Sequence, residues 1–145
     1  MQSAHQTYRR MQTATASSGE LIGLLYDALV RNLTRAEGGL GAHDISEAHQ
    51  ALLRSQDIVL ELIASLDPDA PGEAGQIARQ IAPLYEYMYH RLLDASMHKD
   101  AEPVVEVRRL VLPVREAWRH ALEQVATQTA TSPIDRPAQG GSRRG

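Results

Sequence analysis

The chain of 145 residues contains no cysteine and no phenylalanine. The first absence excludes disulfides, thiolate metal sites and a cysteine nucleophile together, and it fits a reducing compartment. The second leaves one Trp and five Tyr as the only aromatic side chains, so large apolar volume has to come from Leu, Ile, Val and Met. No apolar run approaches the roughly 18 to 20 residues that span a bilayer, which excludes membrane insertion. Met1 to Gln12 is polar and carries Arg9 and Arg10 with no apolar segment behind them, unlike a secretory signal. A large charge of either sign is also missing: the net value is −3, with acids and bases mixed along the chain. There is no basic stripe with interleaved aromatics, so nucleic acid is not a partner.

Catalytic constellations are equally scarce. The sequence holds no Gly-x-Ser-x-Gly elbow, no Walker loop and no dinucleotide fingerprint. Six histidines are present, yet none stands in an HExxH or Glu-x-x-His arrangement. Asp94 and His98 are four apart on a helix, as are Asp57 and Glu61, and Glu102 and Glu106. At that spacing such pairs are surface charge rather than an acid–base or metal centre, and Glu102 and Glu106 suit a helix N-terminus. The expectation is a protein without catalytic residues, metal or cofactor.

What the chain does have is apolar spacing of three and four along most of its length. A first helix is expected from Thr15 to Ser18 onward, with Ser17 and Glu20 forming a capping box, and with Leu21, Leu25, Ala28 or Leu29, Leu33 and Ala36 inward. Gly38, Gly39 and Gly41 read as its stop. Asp44 or Ser46 opens a second helix whose stripe is Ala48, Leu52, Ser55, Val59, Leu62 and Leu66. The breaker from Asp67 to Gly72 separates it from a third, striped by Ile77, Ile81, Leu84, Met88, Leu92 and Ala95. A connection through His98, Lys99 and Asp100 leads to a fourth, striped by Val104, Val107, Val111, Val114, Trp118, Leu122 and Val125. Pro83 and Pro113 fall inside the third and fourth helices, where kinks taken up by packing are expected.

Four such helices with short loops predict an all-α, antiparallel up-down four-helix bundle. The expected organisation is an N-terminal cap segment over residues 1–14, the bundle over 15–126, and a disordered tail over 127–145, rich in Thr, Ser, Pro, Gly and Arg. A bundle helix spends its main stripe on its own core, so apolar residues off the stripe are the candidates for binding protein. These are Ile22, Leu24, Tyr26, Val30, Ile58, Ile63, Tyr85, Tyr89, Leu110 and Leu112. Tyr85, Tyr87 and Tyr89 cannot all enter one core layer, and tyrosine suits an interface because its hydroxyl stays wet. The alternative use of the same residues is self-association of a structural bundle, as a homodimer.

The opening Thr15-Ala16-Ser17-Ser18-Gly19-Glu20-Leu21-Ile22 with Leu24-Leu25-Tyr26-Asp27 resembles that of the flagellin-specific export chaperones, the FliS family. Tyr8 matches a tyrosine upstream in that family. Similarity continues through Ser55-Gln56, Ile58-Val59, Glu61-Leu62, Ser65-Leu66-Asp67, Gly72-Glu73 and Ile77-Ala78. It then runs through Leu84-Tyr85 and Tyr87-Met88, Leu92 and Ala95, and ends with Asp100, Val107, Leu110, Arg115 and Ala117-Trp118. In all it covers roughly residues 8 to 122 in consistent order. The chain departs from the family pattern at Ser18, where Pro is usual, at Ala28, where Gly is frequent, and by adding Pro83 and Pro113.

The resemblance implies a cytoplasmic chaperone of type III export in flagellum biogenesis. It would bind the C-terminal segment of flagellin, prevent premature polymerisation and keep it competent for export. Export-gate components and flagellar regulatory proteins are further partners it suggests. In the family the N-terminal segment folds over part of the cargo-binding surface, which makes Tyr8 and Met11 candidates to cap an apolar groove.

Overall fold

The computed structural model describes the backbone of residues 18–144 and the side chains of residues 19–127. It is a four-helix bundle: α1 (Ser18–Gly41), α2 (Ile45–Ala64), α3 (Glu73–His98) and α4 (Glu102–Arg144). Each helix packs on its neighbours in sequence, and α4 returns to pack on α1, so the four form a closed ring around one core. The connections are residues 42–44, 65–72 and 99–101, short enough to force antiparallel neighbours. Tyr8, Met11 and the Ser17 cap lie outside the described residues.

Local chemistry explains the boundaries. Asp44 opens α2 by accepting a hydrogen bond at Oδ1 from the Glu47 amide, 3.1 Å away, as an N-cap carboxylate does. His43 and Lys99 take up the left-handed conformation (φ 56° and 53°) that turns the chain after α1 and α3. The α1–α2 and α3–α4 turns are therefore tight, three residues each, whereas the α2–α3 connection takes eight.

Gly38 and Gly39 do not stop α1, which continues through both to Gly41. Gly39 is buried against α2, where a Cβ would lie 2.8 Å from the Ala48 amide nitrogen and 3.0 Å from its Cα. Glycine is needed there for close approach of two backbones. Gly38 has open space around it.

The core contains Leu29, Leu33 and Ala36 of α1; Ala48, Leu52, Val59 and Leu62 of α2; Met88, Leu92 and Ala95 of α3; and Val104, Val107 and Val111 of α4. Ile77 is not part of it: Ala78 is buried instead, and Ile77 is 52% exposed. Helices α3 and α4 continue through Pro83 and Pro113, and both rings are exposed. The carbonyl left without a donor one turn earlier is thus on the solvent side, which limits the penalty of an interior proline. From Glu123 to Thr127 every side chain is exposed, Val125 at 57%, so α4 has left the core by then. Its helical backbone is described to Arg144, beyond the point where the spacing predicts a tail; the side chains past Thr127 lie outside the described residues.

One polar contact crosses the core. Tyr26 of α1 and Tyr85 of α3 sit on diagonal helices, both buried, and their hydroxyls hydrogen-bond to each other. Burial pushes both phenols above the ordinary tyrosine value of 10.0, and for Tyr85 the hydrogen bond with Tyr26 adds to the rise. The other buried polar side chains bond to helix carbonyls: Asn32 to Ala28 O at 2.8 Å, Ser55 to Ala51 O at 2.8 Å and Gln56 to Leu92 O at 3.5 Å.

Two predictions follow from this packing. Gly39→Ala forces the α1 and α2 backbones apart and should lower the unfolding free energy by about 1–3 kcal/mol in urea titration. Gly38→Ala, one residue away in open space, should raise it by up to ~1 kcal/mol through helix propensity. Equal effects at the two positions would refute the close-approach argument. For the tyrosine pair, Tyr85→Phe orphans the Tyr26 hydroxyl and should cost about 1–3 kcal/mol, whereas the Tyr26→Phe, Tyr85→Phe double variant should recover part of that loss. Because the folded state keeps both phenols protonated above their ordinary range, their contribution is complete below pH 10.0 and is lost as pH rises beyond it. The double variant should show a weaker alkaline decline than the parent.

Candidate functional site

The seam between α1 and α4 is held from outside by polar links between residues far apart in sequence. Glu37 receives a hydrogen bond from Arg108. Arg115 Nε lies 2.8 Å from Asp27 Oδ1, a close ion pair outside hydrogen-bond geometry. The Trp118 indole donates from Nε1 to the Gly19 carbonyl at 2.9 Å, and its ring meets Tyr26 edge-on at 6.4 Å between centroids.

Toward the start of α1 this seam loses its interlocking side chains. Gly19 and Gly23, one turn apart, present no side chain to α4, and Trp118 and Leu122, also one turn apart, lie opposite them. The result is a groove of about 280 Å³ lined by Glu20, Gly23, Leu24, Asp27, Arg115, Trp118, Arg119 and Leu122. Its floor is apolar. Its rim alternates in charge: Arg119 reaches Asp27 at 3.9 Å and donates to Glu116 at 3.3 Å. A shallow recess on the outer face of α4, formed by Arg109, Leu112, Pro113 and Glu116, continues from it through Arg115 and Arg119. Leu24 (45% exposed) and Leu112 (41%) are the large apolar side chains offered to solvent along this face.

The off-stripe residues thus divide. Leu24 and Leu112 lie on the groove face. Ile22, Val30, Leu110, Ile63 and Tyr89 are half-buried and pack against the core from its edges. Tyr26, Ile58 and Tyr85 are not on the surface at all: the two phenols satisfy each other across the bundle, and Ile58 widens the buried face of α2. Trp118, expected within the core, stands half-buried at the groove wall. Of the groove's lining only Leu24 is in the expected set; Glu20, Gly23, Asp27, Arg115, Trp118, Arg119 and Leu122 lie outside it. The i, i+4 pairs Gly19/Gly23 and Trp118/Leu122 meet only once α1 and α4 are seen packed together, so neither helix's spacing alone marks them.

Nothing in this arrangement is poised for catalysis. Asp94, four residues from His98, gives its carboxylate to Arg91 at 3.1 Å, while His98 Nδ1 meets only the Asp94 backbone carbonyl at 3.1 Å. Glu106 accepts from Tyr87 Oη and Arg91 Nε, both at 2.6 Å, and these bonds, Tyr87 first, hold its carboxyl below the usual range. The same contact raises the Tyr87 phenol. Both shifts move away from neutrality, opposite to what acid–base chemistry requires. Among the described residues no three His, Asp or Glu side chains are grouped to hold a metal ion. A second small cavity, about 70 Å³ between Leu40, Ile45, Leu52 and Lys99, is far below the roughly 300–1,000 Å³ of ligand pockets. No described helix is long and apolar enough to cross a membrane.

Comparison with known proteins agrees with a binding role. The sequence profile of the family described as Flagellar protein FliS matches residues 1–125. The flagellar secretion chaperone FliS of Salmonella typhimurium is 34% identical over 115 residues, covering 79% of this chain and 83% of that protein. The Bacillus subtilis protein of the same description is 26% identical over 123 residues, covering 85% and 89%. A bacterial flagellar chaperone of known crystal structure superposes with a TM-score of 0.67 at 15% identity, over 83% of this chain and 98% of that one, and so shares the fold. On the profile match and the Salmonella relative, the chain belongs to the FliS family of flagellar secretion chaperones, a family of chaperones and not of enzymes.

Proposed function

We propose that this chaperone binds the C-terminal segment of flagellin in the bacterial cytoplasm, blocks its premature polymerisation and keeps it ready for export. The observation that carries this reading is the open apolar groove between α1 and α4. At about 280 Å³ it lies just under the small-molecule range of roughly 300–1,000 Å³, and it continues along α4 instead of closing. That shape suits a row of side chains on a helical segment laid along it, the helix-in-groove mode. Trp118, Leu122 and Leu24 supply apolar contact, and Arg115, Arg119 and Asp27 at the rim fix orientation more than they add affinity.

Release is built into the energetics. A cargo segment that is disordered until bound spends about 2–5 kcal/mol or more of its gross interaction energy on ordering, so a broad contact stays reversible. Tyr8 and Met11 belong to the segment preceding Ser18, where α1 begins beside Glu20 and Gly23 at the groove's end. In the proposed cycle they cover the groove when no cargo is bound and yield to it.

Isothermal titration of the full chain with the C-terminal segment of flagellin from the same organism should give saturable one-to-one heat and a negative heat-capacity change. Absence of binding by the folded protein would remove flagellin as cargo. Gly23→Ala separates groove occupancy from fold integrity. Its methyl meets Trp118 at 3.8 Å and Leu122 at 3.9 Å, ordinary contact, while filling groove space. The variant should therefore melt higher, by up to ~1 kcal/mol of added helix propensity, and yet bind the segment more weakly. Tyr8→Ala with Met11→Ala should strengthen binding by removing the competing cover.

A further inference from the structure

On the side of the ring opposite the α1–α4 groove, a second apolar strip follows the furrow between α2 and α3. The hydrogen bond from Gln56 to the Leu92 carbonyl marks where the two helices face each other. Beside Gln56 on α2, at helical spacing, come Leu53 (47% exposed), Leu60 (45%) and half-buried Ile63. Across the furrow on α3 come half-buried Tyr89 and Leu93 and then Met97, 73% exposed. Single exposed apolar residues are ordinary on any surface. Two facing rows along one furrow are not scattered, and an apolar strip between two helices is the kind of surface that an amphipathic helix covers.

Charge tells which helix fits. Asp57 stands on the outer edge of α2 between Leu53 and Leu60, and Glu86 stands one turn before Tyr89 on α3. Both are exposed, and neither makes an ion pair or hydrogen bond among the described residues. The histidines along the furrow are His49 and His90. The cations are Arg54, exposed on α2 one turn before Asp57, and two at the furrow's ends: Arg79, whose guanidinium donates to the Pro68 carbonyl, and Lys99 in the turn after α3. Along the α1–α4 face, by contrast, the exposed side of α4 carries Arg109, Arg115 and Arg119. That face is nevertheless mixed in charge, with Glu20, Asp27 and Glu116 standing among the arginines, whereas the middle of the α2–α3 furrow carries the unpaired carboxylates Asp57 and Glu86.

We propose that the α2–α3 furrow is a docking surface for a second protein, through an amphipathic helix whose apolar stripe is flanked by lysine or arginine, bound while cargo occupies the α1–α4 groove. Leu53, Leu60 and Met97 provide the buried contact, the flexible thioether of Met97 adapting to the partner's side chains. Asp57 and Glu86 select a basic helix over an acidic one and speed its encounter. Because the furrow and the groove lie on opposite sides of the ring, one chaperone holds its cargo and its dock without competition.

The test uses two designed helical peptides of equal length that share one Leu/Ile stripe, one flanked by lysines and the other by glutamates. They are titrated into methyl-labelled full-length chaperone, free and preloaded with the flagellin segment. The lysine-flanked peptide should shift the methyl signals of Leu53, Leu60 and Met97 in both states. It should bind at least about tenfold more tightly than the glutamate-flanked one, a difference of about 1.4 kcal/mol. An Asp57→Lys, Glu86→Lys variant should reverse that preference, and Gly23→Ala should leave it unchanged. Equal affinity for the two peptides, or no binding of either, overturns the proposal. So does perturbation of Leu24 and Leu112 in place of the furrow methyls. If the flagellin segment itself shifts Leu53 and Leu60 and shuts the peptide out, the furrow belongs to the cargo and the second partner is eliminated. Failure of the flagellin titration with success of the peptide on the free chaperone would remove the cargo assignment alone.

Discussion

Everything in this bundle depends on the return of α4 to α1. The other three helix contacts are between neighbours joined by short loops, and they form with little loss of chain freedom. The α1–α4 seam joins residues 71 to 99 positions apart and has to repay the entropy of closing that loop. Its strength cannot come from the ion pairs Glu37–Arg108 and Asp27–Arg115, since partly exposed pairs contribute only about 0–1 kcal/mol each. The energy lies inside, where Leu33 and Ala36 share one core with Val107 and Val111. The polar links outside set the register in which those apolar rows meet. Where the inner row runs out, Gly19 and Gly23 bring no side chain to the seam: Leu122 and Trp118 pack directly against the α1 backbone at Gly19, and both stay partly uncovered beside Gly23. The groove is the unfinished end of the contact that closes the fold.

Much of this was legible in the spacing of residues. The α2 stripe is buried from Ala48 through Leu52, Ser55 and Val59 to Leu62, with Leu66 half-buried just past the helix end, and Asp44 caps that helix, because α2 packs on both neighbours along its length and its periodicity has one meaning. At the ends of the bundle periodicity loses that meaning. Ile77 near the start of α3 and Val125 in α4 continue their stripes beyond the region where another helix faces them, and both are exposed. Gly39 was misread for a related reason: a glycine near a helix end looks the same whether it stops the helix or admits a neighbour's backbone. Tyr26 and Tyr85 stand off the main stripes of their helices and so read as candidates for the surface. Only the diagonal geometry, which no single helix encodes, supplies each with its partner.

The groove was legible in part. Leu24 and Leu112 stand off the core stripe, and that alone singles them out. Gly23 does not, since a site made by the absence of a side chain has no hydrophobic signal. Trp118 follows the α4 stripe and so reads as core; its position as groove wall depends on what α1 withholds opposite it. The resemblance to flagellar export chaperones extends over the same residues and is visible without the structure, whereas the division of the surface into a groove of paired charges and a furrow with the unpaired carboxylates Asp57 and Glu86 is not.

The state of the core limits how such a protein can hold cargo. A chaperone might open its bundle and take a client helix inside, or it might keep the bundle shut and use the surface. Here the three buried polar side chains Asn32, Ser55 and Gln56 are bonded to helix carbonyls, and the buried phenols Tyr26 and Tyr85 to each other. Separating α1 from α3 would strand both hydroxyls in an apolar interior, at about 1–3 kcal/mol for each group left unpaired. It would also expose core residues that are 0–2% accessible, Leu29, Leu33, Met88 and Leu92 among them, and a groove-bound segment would not replace their contacts. Opening is therefore costly at the one place where it would have to begin. Binding at the periphery costs the bundle nothing of this kind, and the side chains available there are those the ring leaves half-covered: Trp118 and Leu122 on one side, Tyr89 and Leu93 on the other.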